Sequence, residues 1–244
     1  MKPFLLITSR ADDTLVYPEV NSYRKLTGLT GEGELAWLRA EQSEIAGIDL
    51  AEYSGIILAG SPFTVSNSDA QKTVTELRVE REFAALLDGV VALDYPFLGI
   101  CYGVGTLGNH QGAVVSNTNG EDIQVITVQL TAAGEADPLF AGVSTVFDAY
   151  VGHKEALLAA PAHFSVLASG ENCPVQAFKV GQNVYATQFH PELEPETFKQ
   201  RIYAYRDHGY FDPATIDDLL AQIAAADVVA SQRVLKNFVR LYAT

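Results

Sequence analysis

Short apolar runs bounded by glycine, proline and acidic residues recur along this chain of 244 residues, and their lengths and spacing separate strands from helices. Phe4-Leu5-Leu6-Ile7 is continuous apolar sequence followed by a polar loop carrying Arg10, Asp12 and Asp13. That is the pattern of a strand buried on both faces that opens a βα unit. Residues 53–58, ending Ile56-Ile57-Leu58, repeat it, and the small turn Ala59-Gly60-Ser61-Pro62 follows. A third run occupies residues 96–100 and stops at Cys101. Between the second and third runs, over residues 69–88, Val79, Phe83, Leu86 and Leu87 fall at helical spacing, with Glu76, Arg78, Glu80, Arg81 and Glu82 left for a solvated face. The pattern predicts a crossover helix that Asp88-Gly89 terminates. Residues 17–26 read as a short helix, and residues 33–45 as a longer stretch of mixed helical character.

From Ala113 onward the period changes to that of β structure. Residues 123–130 alternate with partly apolar character on both faces, and residues 145–147 and 164–167 are further strand candidates. Residues 176–180, a Gly181-Gln182-Asn183 turn and residues 184–189 predict a hairpin whose second arm ends at His190. Beyond Pro195 the composition is helical, and Val234, Phe238 and Leu241 form a stripe expected to pack on the sheet. No repeat, low-complexity tract or long linker interrupts the pattern. The expectation is one α/β domain over residues 1–244, with residues 194–244 as a helical C-terminal extension packed on it.

Composition narrows the partners. Apolar residues make up 48% of the chain and charged ones 19%, enough for a large core. A formal net charge of −14 opposes long-range attraction to nucleic acid or an anionic membrane, so neither is expected as a partner. The first apolar run is too short for a secretory core and no stretch is long enough to span a bilayer. With only Cys101 and Cys173 present, the chain suits a reducing, cytoplasmic setting.

The chemistry gathers at Gly99-Ile100-Cys101-Tyr102-Gly103. A strand ends at the cysteine, glycines flank it two residues away on either side, and a helix is predicted to follow, which is the G-x-nucleophile-x-G elbow with a thiol in place of a hydroxyl. Side chains at Gly99 and Gly103 are expected to collide with neighbouring backbone. The helix N-terminus beside the sulfur favours negative charge there. A thiol nucleophile needs a base, and the base an orienter. His190-Pro191-Glu192 supplies both, because the proline restricts the backbone so that the carboxylate turns back to the imidazole. His110, His163 and His208 are read as surface or structural residues, and His153 as a possible pocket lining. Oxyanion donors are expected from the backbone N–H of Tyr102 and from the turn at Gly60. Neither His153 nor His190 has cysteine or carboxylate partners at metal-ligand spacing other than Glu192, so neither a metal nor an organic cofactor is expected.

These motifs, with Gly60-Ser61-Pro62-Phe63-Thr64-Val65, Cys173-Pro174-Val175-Gln176-Ala177-Phe178 and Gln188-Phe189-His190-Pro191-Glu192, resemble those of class I glutamine amidotransferases, of the free-standing kind similar to the glutaminase half of GMP synthase. The resemblance implies a flavodoxin-like, mostly parallel sheet flanked by helices with a small antiparallel β appendage. It implies Cys101 as nucleophile on the side-chain amide of glutamine, His190 as acid/base, Glu192 as its orienter, a γ-glutamyl thioester, and a structural Cys173. It also implies a separate synthetase as the consumer of the released ammonia. Two departures stand out. The family's substrate-binding Gln two residues past the second elbow glycine is Gly105, and its Glu-x-Gly has no clean counterpart, the nearest residues being Asn119-Gly120-Glu121-Asp122. Alternatives to the glutaminase are therefore a γ-glutamyl amide or peptide hydrolase that works alone, and a non-catalytic regulatory homologue.

Overall fold

The computed structural model describes residues 2–206 and 212–243, so His208 lies outside the described residues. Strands β1 (Phe4–Thr8), β2 (Leu35–Arg39), β3 (Gly55–Leu58) and β4 (Phe97–Ile100) come from the N-terminal part of the chain. They alternate with helices α1 (Asp13–Thr27), α2 (Val74–Ala92) and α3 (Tyr102–His110). The β-rich middle supplies β5 (Val115–Ser116), β6 (Glu121–Leu130), the short helix α4 (Ala132–Ala136), β7 (Val146–His153) and β8 (Ala156–Leu157). It continues through β9 (Ser165–Ser169), β10 (Ala177–Val180) and β11 (Val184–Thr187), and the chain closes with α5 (Pro195–Tyr205), α6 (Ile216–Ala225) and α7 (Val229–Tyr242).

Nine strands form one sheet in the order β2-β1-β3-β4-β11-β10-β9-β6-β7. Neighbours from β2 to β11 pair in parallel, and those from β11 to β7 are antiparallel. The mostly parallel α/β architecture is as expected. The antiparallel portion continues the main sheet, and β5 with β8 makes a separate two-stranded piece.

The unbroken apolar runs follow from two-sided cover. Phe4, Leu6, Ile57, Leu98 and Ile100 face a core shared with Val16, Val20 and Tyr23 of α1 and with Val234 and Phe238 of α7. Leu5, Ile7, Ile56, Leu58 and Phe97 point the other way, against Val79, Phe83 and Leu87 of α2 and Val104 and Leu107 of α3. Each strand thus sorts its side chains by the period of two, and each fully buried one contributes about 1.5–3 kcal/mol. A third cluster seats α5 and α6 on β6 and β7 through Ile123, Tyr150, Phe198, Ile202 and Ile223.

Three local expectations change. Residues 33–45 contain strand β2 and no helix; as an edge strand it is only half covered, so its apolar residues show no clean alternation. Helix α2 continues past Gly89 to Ala92, because Val90 is fully buried on the same stripe as Val79, Phe83 and Leu87. In α7 the stripe is completed by Leu235 and the partly buried Tyr242, whereas Leu241 is 37% exposed.

Candidate active site

In a parallel sheet, loops that leave the carboxyl ends of adjacent strands meet over the same edge. Strands β3, β4 and β11 are consecutive neighbours, and the residues that follow them are Gly60, Cys101 and His190. A methyl group built on Gly60 would lie 2.9 Å from Cε1 of His190 and 3.6 Å from Cβ of Cys101, so the three loops touch.

Cys101 has φ 53° and ψ −86°, a conformation unfavourable to any residue with a Cβ. Two hydrogen bonds pin it there: its N–H donates to the Thr187 carbonyl at 2.7 Å, and its carbonyl accepts from Val104 N–H at 2.9 Å. The glycine requirement is asymmetric. A Cβ on Gly99 would sit 2.9 Å from the Gly103 Cα, whereas one on Gly103 would find nothing nearer than the Leu58 side chain at 3.8 Å. The expected clash at Gly103 is therefore absent. Cys101 stands at the N-cap of α3, so Tyr102, at its first position, presents an N–H with no intrahelical acceptor.

His190 is almost wholly buried and lines the same recess as Cys101. Its backbone N–H donates to the Tyr150 carbonyl at 2.9 Å, and Nδ1 meets Oε1 of Glu192 at 2.7 Å. Burial opposes charge on the imidazole, but the Glu192 carboxylate and the Cys101 sulfur outweigh it and hold the imidazolium up to about 9. Burial likewise pushes against the Glu192 carboxylate, and the opposing pull of His190, then of Arg201, keeps it below the usual range. Behind the pair stands Arg201 of α5, whose Nη2 is 3.2 Å from Oε1 of Glu192 and 2.5 Å from Oε1 of Glu19. Glu19 in turn binds Nε of Arg10 at 3.3 Å.

The sequence model for "Glutamine amidotransferase class-I" matches residues 19–206. The chain belongs to that family. It is 30% identical to the GMP synthase of Marinobacter nauticus over 79% of its own length and 37% of that protein's. It is 28% identical to the GMP synthase of Thermosipho africanus over 67% of its length and 28% of the other's. It thus spans about a third of the length of these relatives. Among solved structures, a glutamine amidotransferase from Thermotoga maritima superposes with a TM-score of 0.79 at 20% identity, over 100% of both chains. One from Methylobacillus flagellatus does so with 0.75 at 16% identity, covering 98% of this chain and 95% of that one. These likenesses establish a shared fold.

In this amidotransferase chain the position of the family glutamine, Gly105, is not vacant space. A Cβ there would meet Oε1 of Glu155 and Cγ2 of Val65, each at 3.2 Å. The Glu155 carboxylate accepts from the Val65 and Ser66 N–H groups, both at 2.7 Å, and so clamps the loop after β3. Two recesses adjoin Cys101. Both are small and open to solvent: one, between Phe63, Tyr102 and Glu155, has a cavity volume of about 30 Å³, and the other, beside Arg10, Arg201 and Tyr205, about 40 Å³.

Sequence spacing concealed a second cluster. Glu121, His153 and Cys173 are all buried, with one ligand-type atom from each within 4.8 Å of the others. His153 therefore does have a carboxylate and a cysteine at hand, contrary to expectation, and these three residues could present a nitrogen, an oxygen and a sulfur to a metal. Their polar atoms are already engaged: His153 Nε2 lies 3.0 Å from Glu121 Oε2 and Nδ1 2.9 Å from the Glu155 carbonyl, while Gln176 Nε2 donates to Glu121 at 2.6 Å. The Cys173 thiol is pushed up to about 12 by burial. Glu121 was missed as a site-supporting residue because its anchors, His153 and Gln176, are far away in sequence. His153 reaches the smaller recess, but its ring turns toward Glu121. His110 binds Asp88 at 2.9 Å, and His163 packs edge-on against Phe164 with ring centroids 4.8 Å apart.

Proposed function

We propose that the chain, working as one catalytic domain, is a glutaminase that hydrolyses a γ-glutamyl amide and passes ammonia to a separate synthetase. The convergence of Gly60, Cys101, His190 and Glu192 at three adjacent strand ends carries this reading. Cys101 Sγ, as thiolate, adds to the amide carbon. The oxyanion that forms is met by the Tyr102 N–H and by the turn at Gly60, where donors are worth a few kcal/mol each. Collapse of the tetrahedral adduct breaks the C–N bond, and His190 gives its proton to the departing nitrogen, leaving a γ-glutamyl thioester and ammonia. His190, now neutral, takes a proton from water as that water attacks the thioester, and glutamate leaves as the thiolate is restored. Glu192 holds the imidazole in the tautomer that presents Nε2 to the sulfur and substrate.

The glutamine-hydrolysing GMP synthase relatives support a synthetase as the ammonia consumer. Ammonia release from glutamine, assayed alone and with a separately expressed synthetase chain, tests this; no release from a preparation whose Cys101 titrates as a free thiol overturns it. A second reading, hydrolysis of larger γ-glutamyl amides without a partner, is favoured by Gly105, which leaves the helix without the side chain that the family uses to hold free glutamine. Amine release from γ-glutamyl alkylamides in excess of release from glutamine would select it.

A further inference from the structure

Glu192 and His190 do not form an isolated pair. Charges alternate along a buried path from the site to the opposite wall: His190, Glu192, Arg201, Glu19, Arg10. The last four are at most 7% exposed. Arg201 makes two contacts at the site end. One Nη reaches the Glu192 carboxylate at 3.2 Å, and the other lies 3.4 Å from Nδ1 of His190, the nitrogen that Glu192 also holds. An orienting carboxylate with no other cation near it would serve only the imidazolium. Here a permanent cation shares the same oxygen and stands against the same ring.

We propose that Arg201 is a positioning residue that sets the proton affinity of His190: it draws part of the Glu192 charge to itself and opposes the imidazolium directly. Glu19 governs how strongly it does so. The inference rests on the roles proposed above for Cys101 and His190. The chemical need is plain. An imidazolium held too firmly by a buried carboxylate keeps its proton, and acid catalysis to a leaving amine then suffers, since an acid is most effective when its affinity lies near the working pH. At 3.4 Å, with the screening typical of protein sites, a like charge is worth more than one pH unit.

Among the described residues, the charged and titratable groups around His190 are Cys101 at the start of α3, Glu192 on its own segment, Arg201 and Tyr205 on α5, Glu19 and Tyr23 on α1, and Arg10 after β1. Burial raises Tyr23 well above its ordinary range, which leaves it neutral. Arg201 is raised by Glu19 and Glu192 against the effect of its burial, so it remains a cation throughout the accessible range. The balance at the imidazole is thus set by Glu192 and Cys101 on one side and Arg201, tempered by Glu19, on the other.

The test is the pH titration of the His190 imidazole by NMR, assigned with His190→Gln, in the full chain. Arg201→Met should move the midpoint upward by a unit or more, Arg201→Lys should hold it within about half a unit of wild type, and Glu19→Gln should move it downward, because Arg201 and Arg10 lose their shared counter-charge. Opposite signs from two neighbouring buried substitutions are not produced by general loosening. If Arg201→Met does not fold, Glu19→Gln and Arg201→Lys still decide. A midpoint unmoved or lowered in Arg201→Met, or unmoved or raised in Glu19→Gln, overturns the proposal. The site assignment is checked separately by Cys101 alkylation with iodoacetate. The rate should fall as the imidazolium loses its proton, and should lose that inflection in His190→Gln; failure there refutes the assigned pair, whatever the Arg201 variants do.

Discussion

Replacing Gly60 by alanine adds one methyl group 2.9 Å from Cε1 of His190 and 3.6 Å from Cβ of Cys101. Carbon atoms rest about 3.5–4.0 Å apart, so something must give by roughly 0.6 Å or more. The imidazole has nowhere to go. Its Nδ1 is held by Glu192 at 2.7 Å, its backbone N–H by Tyr150 at 2.9 Å, and the Arg201 guanidinium stands 3.4 Å behind it. The turn at Gly60 must therefore swing outward and take its backbone donors with it, or the ring must tilt away from the sulfur. A displacement of this order at a reacting centre costs about 10²-fold in rate, or about 2.7 kcal/mol of barrier. The fold rests on β3 and β4 below the turn, so the melting temperature should change by less than about 4 °C. Two assays read the outcome: hydrolysis of glutamine or a chromogenic γ-glutamyl anilide, and the second-order rate of Cys101 alkylation by chloroacetamide. A Gly60→Ala variant that keeps both rates within about threefold of wild type and melts normally would refute the proposed geometry of base, sulfur and oxyanion turn.

Other consequences are testable with the same preparations. Because the His190 proton is held up to about 9 against an ordinary 6.5, the stability it contributes is complete below about pH 6.5 and is lost as pH rises through about 9, by at most about 3 kcal/mol; urea unfolding across that window should show the slope, and His190→Gln should abolish it. Gly99→Ala should destabilise the chain by about 1–3 kcal/mol through a 2.9 Å contact with the Gly103 Cα, whereas Gly103→Ala, with 3.8 Å to spare, should melt within a few degrees of wild type. Glu155→Ala removes two charge-assisted hydrogen bonds of 2.7 Å to the loop after β3 and should raise KM at least tenfold, read in steady-state kinetics, with amide exchange at Val65 and Ser66 accelerated. Cys173, fully buried and raised to about 12, should resist alkylation at pH 8 in native protein and react once the chain is unfolded, as peptide mass mapping would show.

How much could be read in advance follows the range of the interactions. The parallel strands were legible because burial on both faces leaves an unbroken apolar run, and the elbow because its glycines, cysteine and helix start are contiguous. His190 and Glu192 were legible as a unit because they are two residues apart. Edge strand β2 was not, since half-cover erases its alternation, and the end of α2 was set by tertiary packing of Val90, which overrode Gly89. Arg201 and Glu19 were invisible: a charged residue on a helix normally belongs to the wet face, and only the packing of α5 against α1 brings these two together, 182 positions apart in the chain. Glu121 escaped for the same reason, lying 32 residues from His153 and 55 from Gln176.

Gly105 and Glu155 are best understood as one substitution shared between two elements. A glutamine at 105 would have to start from a Cβ lying 3.2 Å from the Glu155 carboxylate, and also 3.2 Å from Val65, which that carboxylate holds in place through the adjacent N–H. A side chain at 105 would require the Glu155 carboxylate or the Val65 side chain to give by a few tenths of an ångström, which disturbs the clamp on the loop. On the segment after β7, Glu155 both braces the loop that follows Gly60 and lines the recess beside Cys101. Restoring glutamine alone, as Gly105→Gln, should accordingly weaken the site instead of rebuilding it. The paired change Gly105→Gln with Glu155→Ala frees the space, and it should recover glutamine hydrolysis relative to either single variant. A double variant no better than the worse single one would show that the two positions do not share a role.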